Sequence, residues 1–275
     1  MEQVQQVPPP EVRHAEELAR LAEEKGPRPP GWLLTPQAVV AFVCGNDRLK
    51  ISRKFVGDVS LVERCVITLA GERALLLVGE PGTAKSMLSE LLSAAICGTS
   101  GLTVQGSAGT TEDQLRYGWN YAQLLARGPS EDALVDSPVL AAMRTGRVAR
   151  VEEITRCLPE VQDALVSVLS ERRLAVPELG EYAVHAAPGF CVIATANLRD
   201  RGVSEMSAAL KRRFNFEAVE PIADADADPD YIAADMVSQA EHDPAAASVL
   251  ITDSTALADA VEGRMSERAA RTKHS

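Results

Sequence analysis

The sequence predicts an α/β protein: a doubly wound, mainly parallel sheet with helices on both faces, followed by a short helical segment. Three observations carry this expectation. A-L-L-L-V (74–78) is a continuous apolar run, the pattern of a parallel strand covered on both faces. It passes through a glycine-bearing turn, G-E-P-G-T-A-K-S (79–86), into a helix on which Leu88, Leu91, Leu92 and Ala95 share one face. Further apolar runs then alternate with helical segments, as βαβ units require.

The elements follow in order. Residues 1–30 open on a proline run, continue as E-V-R-H-A-E-E-L-A-R-L-A-E-E-K and stop at G-P-R-P-P, so they read as an N-terminal charged helix or tail between breakers. From Trp32 the chain turns apolar, and L-V-E-R-C-V-I-T-L-A (61–70) has the spacing of an amphipathic helix ended by Gly71. Later strand candidates are 102–104, 148–151 and 190–196, with a helix over 159–170 between the last two. Residues 174–177 and 182–185 flank E-L-G-E as a hairpin. The α/β domain is thus expected over 31–222 and an Ala-rich helical segment over 223–275. Asp224, Asp226 and Asp228 imitate the start of a calcium loop, but Pro229 stands where such a loop needs glycine, so an acidic linker is preferred.

Composition narrows the function. The 275 residues, 46% hydrophobic, suffice for a substantial core. A formal charge of -11 opposes a nonspecific grip on phosphate backbones and makes nucleic acid an unfavoured partner. No apolar run reaches the roughly 20 residues of a membrane span, and the N-terminus has neither a basic nor an apolar leader segment, so the cytoplasm is the expected location. Five scattered cysteines read as small buried thiols, and four distant histidines give no metal-ligand spacing. Y-G-W-N-Y (117–121) reads equally as an exposed aromatic cluster or as packing beneath a loop.

The strongest local signal is the turn after the first strand. A triphosphate needs inward-facing backbone N–H groups, supplied where glycines allow the turn, and a helix N-terminus facing the anion. Gly79, Glu80, Pro81, Gly82, Thr83, Ala84, Lys85, Ser86 and Met87 form that candidate cradle. Lys85 would reach the β- and γ-phosphates, and Ser86 would offer its hydroxyl to Mg²⁺. The usual motif has glycine at position 84. Alanine is tolerable there if its φ stays negative.

Hydrolysis also needs carboxylates at the end of a neighbouring strand. In R-V-A-R-V-E-E-I-T-R (147–156), a strand over Val148–Val151 would present Glu152 and Glu153 there. Arg150 is unexpected within it: a doubly covered strand does not bury an unpaired guanidinium, so Arg150 must pair with a carboxylate or reach the sheet's end.

These stretches, with D-S-P-V-L-A-A-M-R-T before them, V-Q-D-A-L-V-S-V-L-S-E-R-R-L after them, I-A-T-A-N-L-R-D-R-G (193–202) and S-A-A-L-K-R-R-F (207–214), resemble the AAA+ ATPases, a P-loop NTPase family. More narrowly they resemble its MoxR-like, dynein-related branch, over roughly Gly57–Pro221. The resemblance implies ATP and Mg²⁺ as cofactors, Glu152 with Ser86 at the metal, Glu153 activating water, and Asn197 as the polar sensor. It implies that Arg213, with Arg212 as rival, is a finger acting on a neighbouring subunit's nucleotide in a hexameric ring. It further implies a helical lid, here abbreviated, with Arg268 a candidate lid arginine. The implied function is chaperone-like remodelling of a client protein complex, together with a partner bearing a von Willebrand A domain. Glu152 departs from the family's usual aspartate. That departure keeps open an ATP-binding assembly module with little turnover; a nucleic-acid-linked motor subunit is a further alternative.

Overall fold

In a computed structural model of the chain, residues 8–197, 206–220, 228–241, 250, 252 and 254–269 are described. Two short helices, α1 (Pro10–Arg13) and α2 (Ala15–Ala22), are followed by α3 (Pro36–Cys44) and α4 (Val59–Ala70). Strand β1 (Ala74–Gly79) leads into α5 (Lys85–Cys97), and β2 (Thr103–Gln105) comes next. An excursion then runs through α6 (Glu112–Leu115), β3 (Tyr117–Trp119), α7 (Tyr121–Arg127) and β4 (Leu134–Asp136). Helix α8 (Pro138–Thr145), strand β5 (Val148–Glu152), α9 (Pro159–Asp163) and α10 (Leu165–Glu171) return the chain to the sheet. The hairpin β6 (Arg173–Ala175) and β7 (Ala183–His185) precedes β8 (Cys191–Asn197), α11 (Ala208–Lys211) and β9 (Phe214–Ala218), and α12 (Pro229–Glu241) and α13 (Thr255–Ala269) close the described chain.

The five-stranded sheet has the order β2-β5-β8-β1-β9, every adjacent pair parallel. Side-chain alternation sorts it into two cores. Leu75 and Leu77 of β1 join α3, α4 and α5 on one face, whereas Leu76 and Val78 join α8, α10 and α11 on the other. The same parity sends Val148, Arg150 and Glu152 of β5 toward α5, and Ala149 and Val151 away from it. The expected doubly wound α/β fold with helices on both faces is the observed one.

Some detail departs from expectation. Helices α1 and α2 pack on the domain: Leu21 is buried in the α3–α4–α5 core, and Glu11 accepts hydrogen bonds from the Ser100 backbone N–H and hydroxyl. Strand β9 was not anticipated, although F-N-F-E-A alternates as an edge strand does. The aromatic stretch 117–121 is split, with Tyr117 buried and Tyr121 70% exposed. Helices α12 and α13 pack on each other through Ala233, Leu257 and Val261, with Val56 beside them. Asp224 and Asp226 lie outside the described residues. Among the described residues, no helix is long and apolar enough to cross a membrane, and no group of three or more His, Cys, Asp or Glu side chains could hold a metal ion. Cys65, Cys97, Cys157 and Cys191 are buried free thiols, and burial pushes Cys65 up to about 12.

Candidate nucleotide site

Three parallel strands end together. Register aligns Gly79 of β1 with Asn197 of β8 and Val151 of β5 with Ala194, so the turn after β1, the carboxylates after β5 and Asn197 share one edge of the sheet. Ligands of open α/β sheets bind at such carboxyl ends.

The turn is built by local sequence. A Cβ on Gly79 would lie 2.3 Å from the Val219 carbonyl oxygen, which continues from β9, so only glycine fits there. Gly82 takes φ +80°, which glycine reaches without strain. Ala84 also adopts a left-handed backbone, φ 60° and ψ 25°, which corrects the expectation of a negative φ. The turn must reverse sharply into α5 at this point, and the chain does so with a methyl group in place, at roughly 1–2 kcal/mol. As N-cap of α5, Ala84 supplies no side-chain cap, so the helix's first N–H groups are not claimed by a capping side chain. Lys85 is buried under the turn, and its Nζ donates to the carbonyls of Gly79 (3.2 Å) and Glu80 (2.5 Å). Ser86 and Met87 are exposed residues, although the Ser86 hydroxyl is turned inward to Glu152.

Glu152 joins the strand end to the helix. Its Oε2 accepts from Ser86 Oγ at 2.7 Å and from Thr195 Oγ1 at 2.7 Å; its Oε1 accepts from Ser89 Oγ at 2.6 Å and from Arg150 at 2.7 Å. Burial pushes this carboxyl's pKa up, but Arg150 and the hydroxyls of Ser89, Ser86 and Thr195 outweigh it, leaving the group below its ordinary value. Arg150 therefore pairs with a carboxylate, as its position in a covered strand required. The extra methylene of glutamate does not carry the carboxylate away from Ser86.

Glu153 turns the other way. Its backbone lies at φ 52° and ψ 45°, which swings the side chain out of the strand's alternation; its carboxylate accepts from Arg156 at 2.7 Å, and its N–H donates to Thr195 Oγ1. A non-glycine residue held in this region marks a backbone fixed by its surroundings. Gly106 packs against this turn: a Cβ there would meet the carbonyl oxygens of Glu153 at 2.4 Å and Glu152 at 2.7 Å.

The site thus brings together Gly79–Met87, Glu152, Glu153 and Asn197. It does not include Arg213, which sits just before β9 at the opposite end of the sheet, about 17 Å from Gly79 along β1. Arg213 donates to Ser170 Oγ and the Ala209 carbonyl, and with Arg73, Arg172 and Arg212 it lines a cleft of about 140 Å³ at that far end. Arg268 lies 3.9 Å from Asp230 on α12. Sequence reasoning missed Ser89 and Thr195. Thr195 is a polar residue within an otherwise apolar strand run, which was the available signal; α5 also carries Ser86, Glu90 and Ser93, so nothing in the sequence singled out Ser89.

Residues 74–214, just over half of the chain, match the family described as AAA domain (dynein-related subfamily). The chain belongs to that family. The family makes this a nucleotide-binding ATPase domain of the AAA+ kind. Residues 219–275, after the last strand, match the family described as histidinol dehydrogenase, a stretch too short to assign the chain. The chain is 57% identical over 222 residues to the uncharacterized protein YehL of Escherichia coli (strain K12), covering 80% of this chain and 61% of that relative. It is 38% identical over 141 residues to the uncharacterized protein SH1500 of Staphylococcus haemolyticus (strain JCSC1435), covering 51% of this chain and 52% of the relative. The chain therefore spans about half to three-fifths of the length of these relatives.

Proposed function

We propose that this AAA domain binds Mg·ATP in the Gly79–Met87 turn and hydrolyses it, working as a ring-forming, MoxR-like remodelling factor for a protein complex. One observation carries the reading: the Ser86 hydroxyl and the Glu152 carboxylate are hydrogen bonded where the uncapped α5 N-terminus opens. That donor set fits a magnesium ion held by a hydroxyl whose proton is given to a carboxylate. The ion, when bound, would neutralise phosphate charge. Ser86 and the Glu152 carboxylate, through its Oε2, would hold it. Lys85 would exchange the loop carbonyls for the β- and γ-phosphates. Glu153 would leave Arg156 to take a proton from water that Asn197 helps to orient.

The distance of Arg213 from its own turn supports a role on the next subunit's nucleotide, hence a ring whose sites lie between copies. The client complex, and a partner bearing a von Willebrand A domain, rest on the MoxR-like resemblance alone.

Steady-state phosphate release tests the reading. Wild type should release phosphate from Mg·ATP, and Glu153→Gln should stop release while retaining ATP. A second reading, an ATP-dependent assembly module with little turnover, is favoured by the Glu153–Arg156 ion pair, which occupies the proposed base. Tight ATP binding by wild type without phosphate release would select it.

A further inference from the structure

The Glu152 carboxylate is asymmetric in a way the proposed reaction does not use. Its Oε2 meets only hydroxyls, Ser86 and Thr195, which can rotate and accept as well as donate. Its Oε1 meets Ser89 and the guanidinium of Arg150. A guanidinium donates only, and it stays charged at any working pH.

Arg150 cannot easily leave. Its Nε donates to Ser89 Oγ at 2.9 Å, and one terminal nitrogen donates to the Ser100 carbonyl at 2.9 Å and to Thr103 Oγ1 at 3.1 Å. The other terminal nitrogen, which holds Glu152, also lies 3.4 Å from Glu90. The side chains of Arg150 and Glu152 are each only 5% exposed, so withdrawing either partner would strand a buried charge. The clamp spans β5, α5 and the segment leading into β2, and it leaves the carboxylate one oxygen with which to address an ion.

From this geometry we infer that Arg150 is a positioning residue that sets cation selectivity: by occupying Oε1 it denies the site a bidentate carboxylate and so favours magnesium over calcium. The chemistry of the two ions supplies the reason. Magnesium takes a strict octahedron with single carboxylate oxygens and retained waters, whereas calcium takes six to eight ligands and readily binds both oxygens of one carboxylate. The inference rests on the reading that this turn holds a divalent-metal nucleotide.

The test is equilibrium binding of a fluorescent ATP analogue to the full chain, first in EDTA and then titrated with Mg²⁺ or Ca²⁺. In Arg150→Met the ratio of half-saturating Ca²⁺ to half-saturating Mg²⁺ should fall by about fivefold or more. Ser89→Ala removes both the second Oε1 donor and the acceptor that holds Arg150 Nε, so it loosens Arg150 on that oxygen and should lower the ratio by about twofold. A purely structural Arg150 would weaken both ions together and leave the ratio where it was. An unchanged ratio in an Arg150→Met protein with native circular dichroism overturns the inference; if that variant does not fold, an unchanged ratio in Ser89→Ala does so. Either result, beside normal Mg·ATP binding by wild type, leaves the proposed function standing. A wild type that takes up no nucleotide with Mg²⁺ overturns both.

Discussion

Ala84 holds a left-handed backbone that glycine would adopt without a steric penalty. Relief of that strain, less the extra chain entropy that glycine loses on folding, leaves Ala84→Gly more stable by about 0.5–1 kcal/mol in urea unfolding. ATP affinity should hold or rise, since the turn keeps its shape. Thr195 is the opposite case: it donates to Glu152 and accepts from the Glu153 N–H, so Thr195→Val strips one partner from each. Leaving these groups short of a bond inside the protein should cost about 1–3 kcal/mol, read from the same unfolding curves. The placement of the glycine-bearing turn and of the paired glutamates at neighbouring strand ends was legible in the sequence, because an apolar strand followed by glycines and a helix, and a second short strand ending in two carboxylates, fix where they lie. Ser89 and Thr195 were not. What makes them matter is that α5 crosses the β5 and β8 face at that level, a tertiary fact that spacing does not contain. Arg150 stood between these cases: burial demanded a partner, and only the fold could name it.

At the scale of elements, continuous apolar runs located β1 and β8 to within a residue or two, because a strand covered on both faces has no polar alternation to confuse it, and amphipathic spacing located α4 as closely. Edge strand β9 escaped because only one side of it is paired and its residues are half polar. The charge-rich α2 was legible as a charged helix or tail, but its packing on the domain was not: its apolar face is only a few residues wide, yet it is anchored by Leu21 and by Glu17, which accepts from the Ser52 N–H, the Ser52 hydroxyl and Lys54. Burial raises the Glu17 carboxyl, but Lys54 and Ser52 outweigh it, and the folded pKa lies below the ordinary 4.5. With the folded value depressed, this anchor contributes its full stability above pH 4.5 and loses it as the pH falls below. Hydrogen exchange should therefore show α2 amides losing protection on acidification before those of β1. In Glu17→Gln, protection of α2 should be lower at neutral pH and should change less between pH 6 and about 3.5.

For the whole molecule, the decisive geometry is that Arg213 and the phosphate turn lie at opposite ends of β1 and β9. A rigid chain cannot bring the guanidinium to its own nucleotide, so if Arg213 acts in hydrolysis it acts across an interface that joins one copy's far end to the next copy's turn. Such an interface is heterologous and closes only as a ring. A mixing experiment follows. Arg213→Ala has an intact turn but no finger to offer; Glu153→Gln offers the finger but cannot activate water. Each alone should release phosphate at a small fraction of the wild-type rate. When equal amounts are mixed and allowed to exchange subunits, about one junction in four pairs an intact turn with an intact finger, so phosphate release should recover to about a quarter of the wild-type rate. Recovery should appear only at concentrations where light scattering shows assembly. A mixture that stays at the sum of its two components, under conditions where assembly is observed, would rule out the shared site and return Arg213 to a local role beside Ser170.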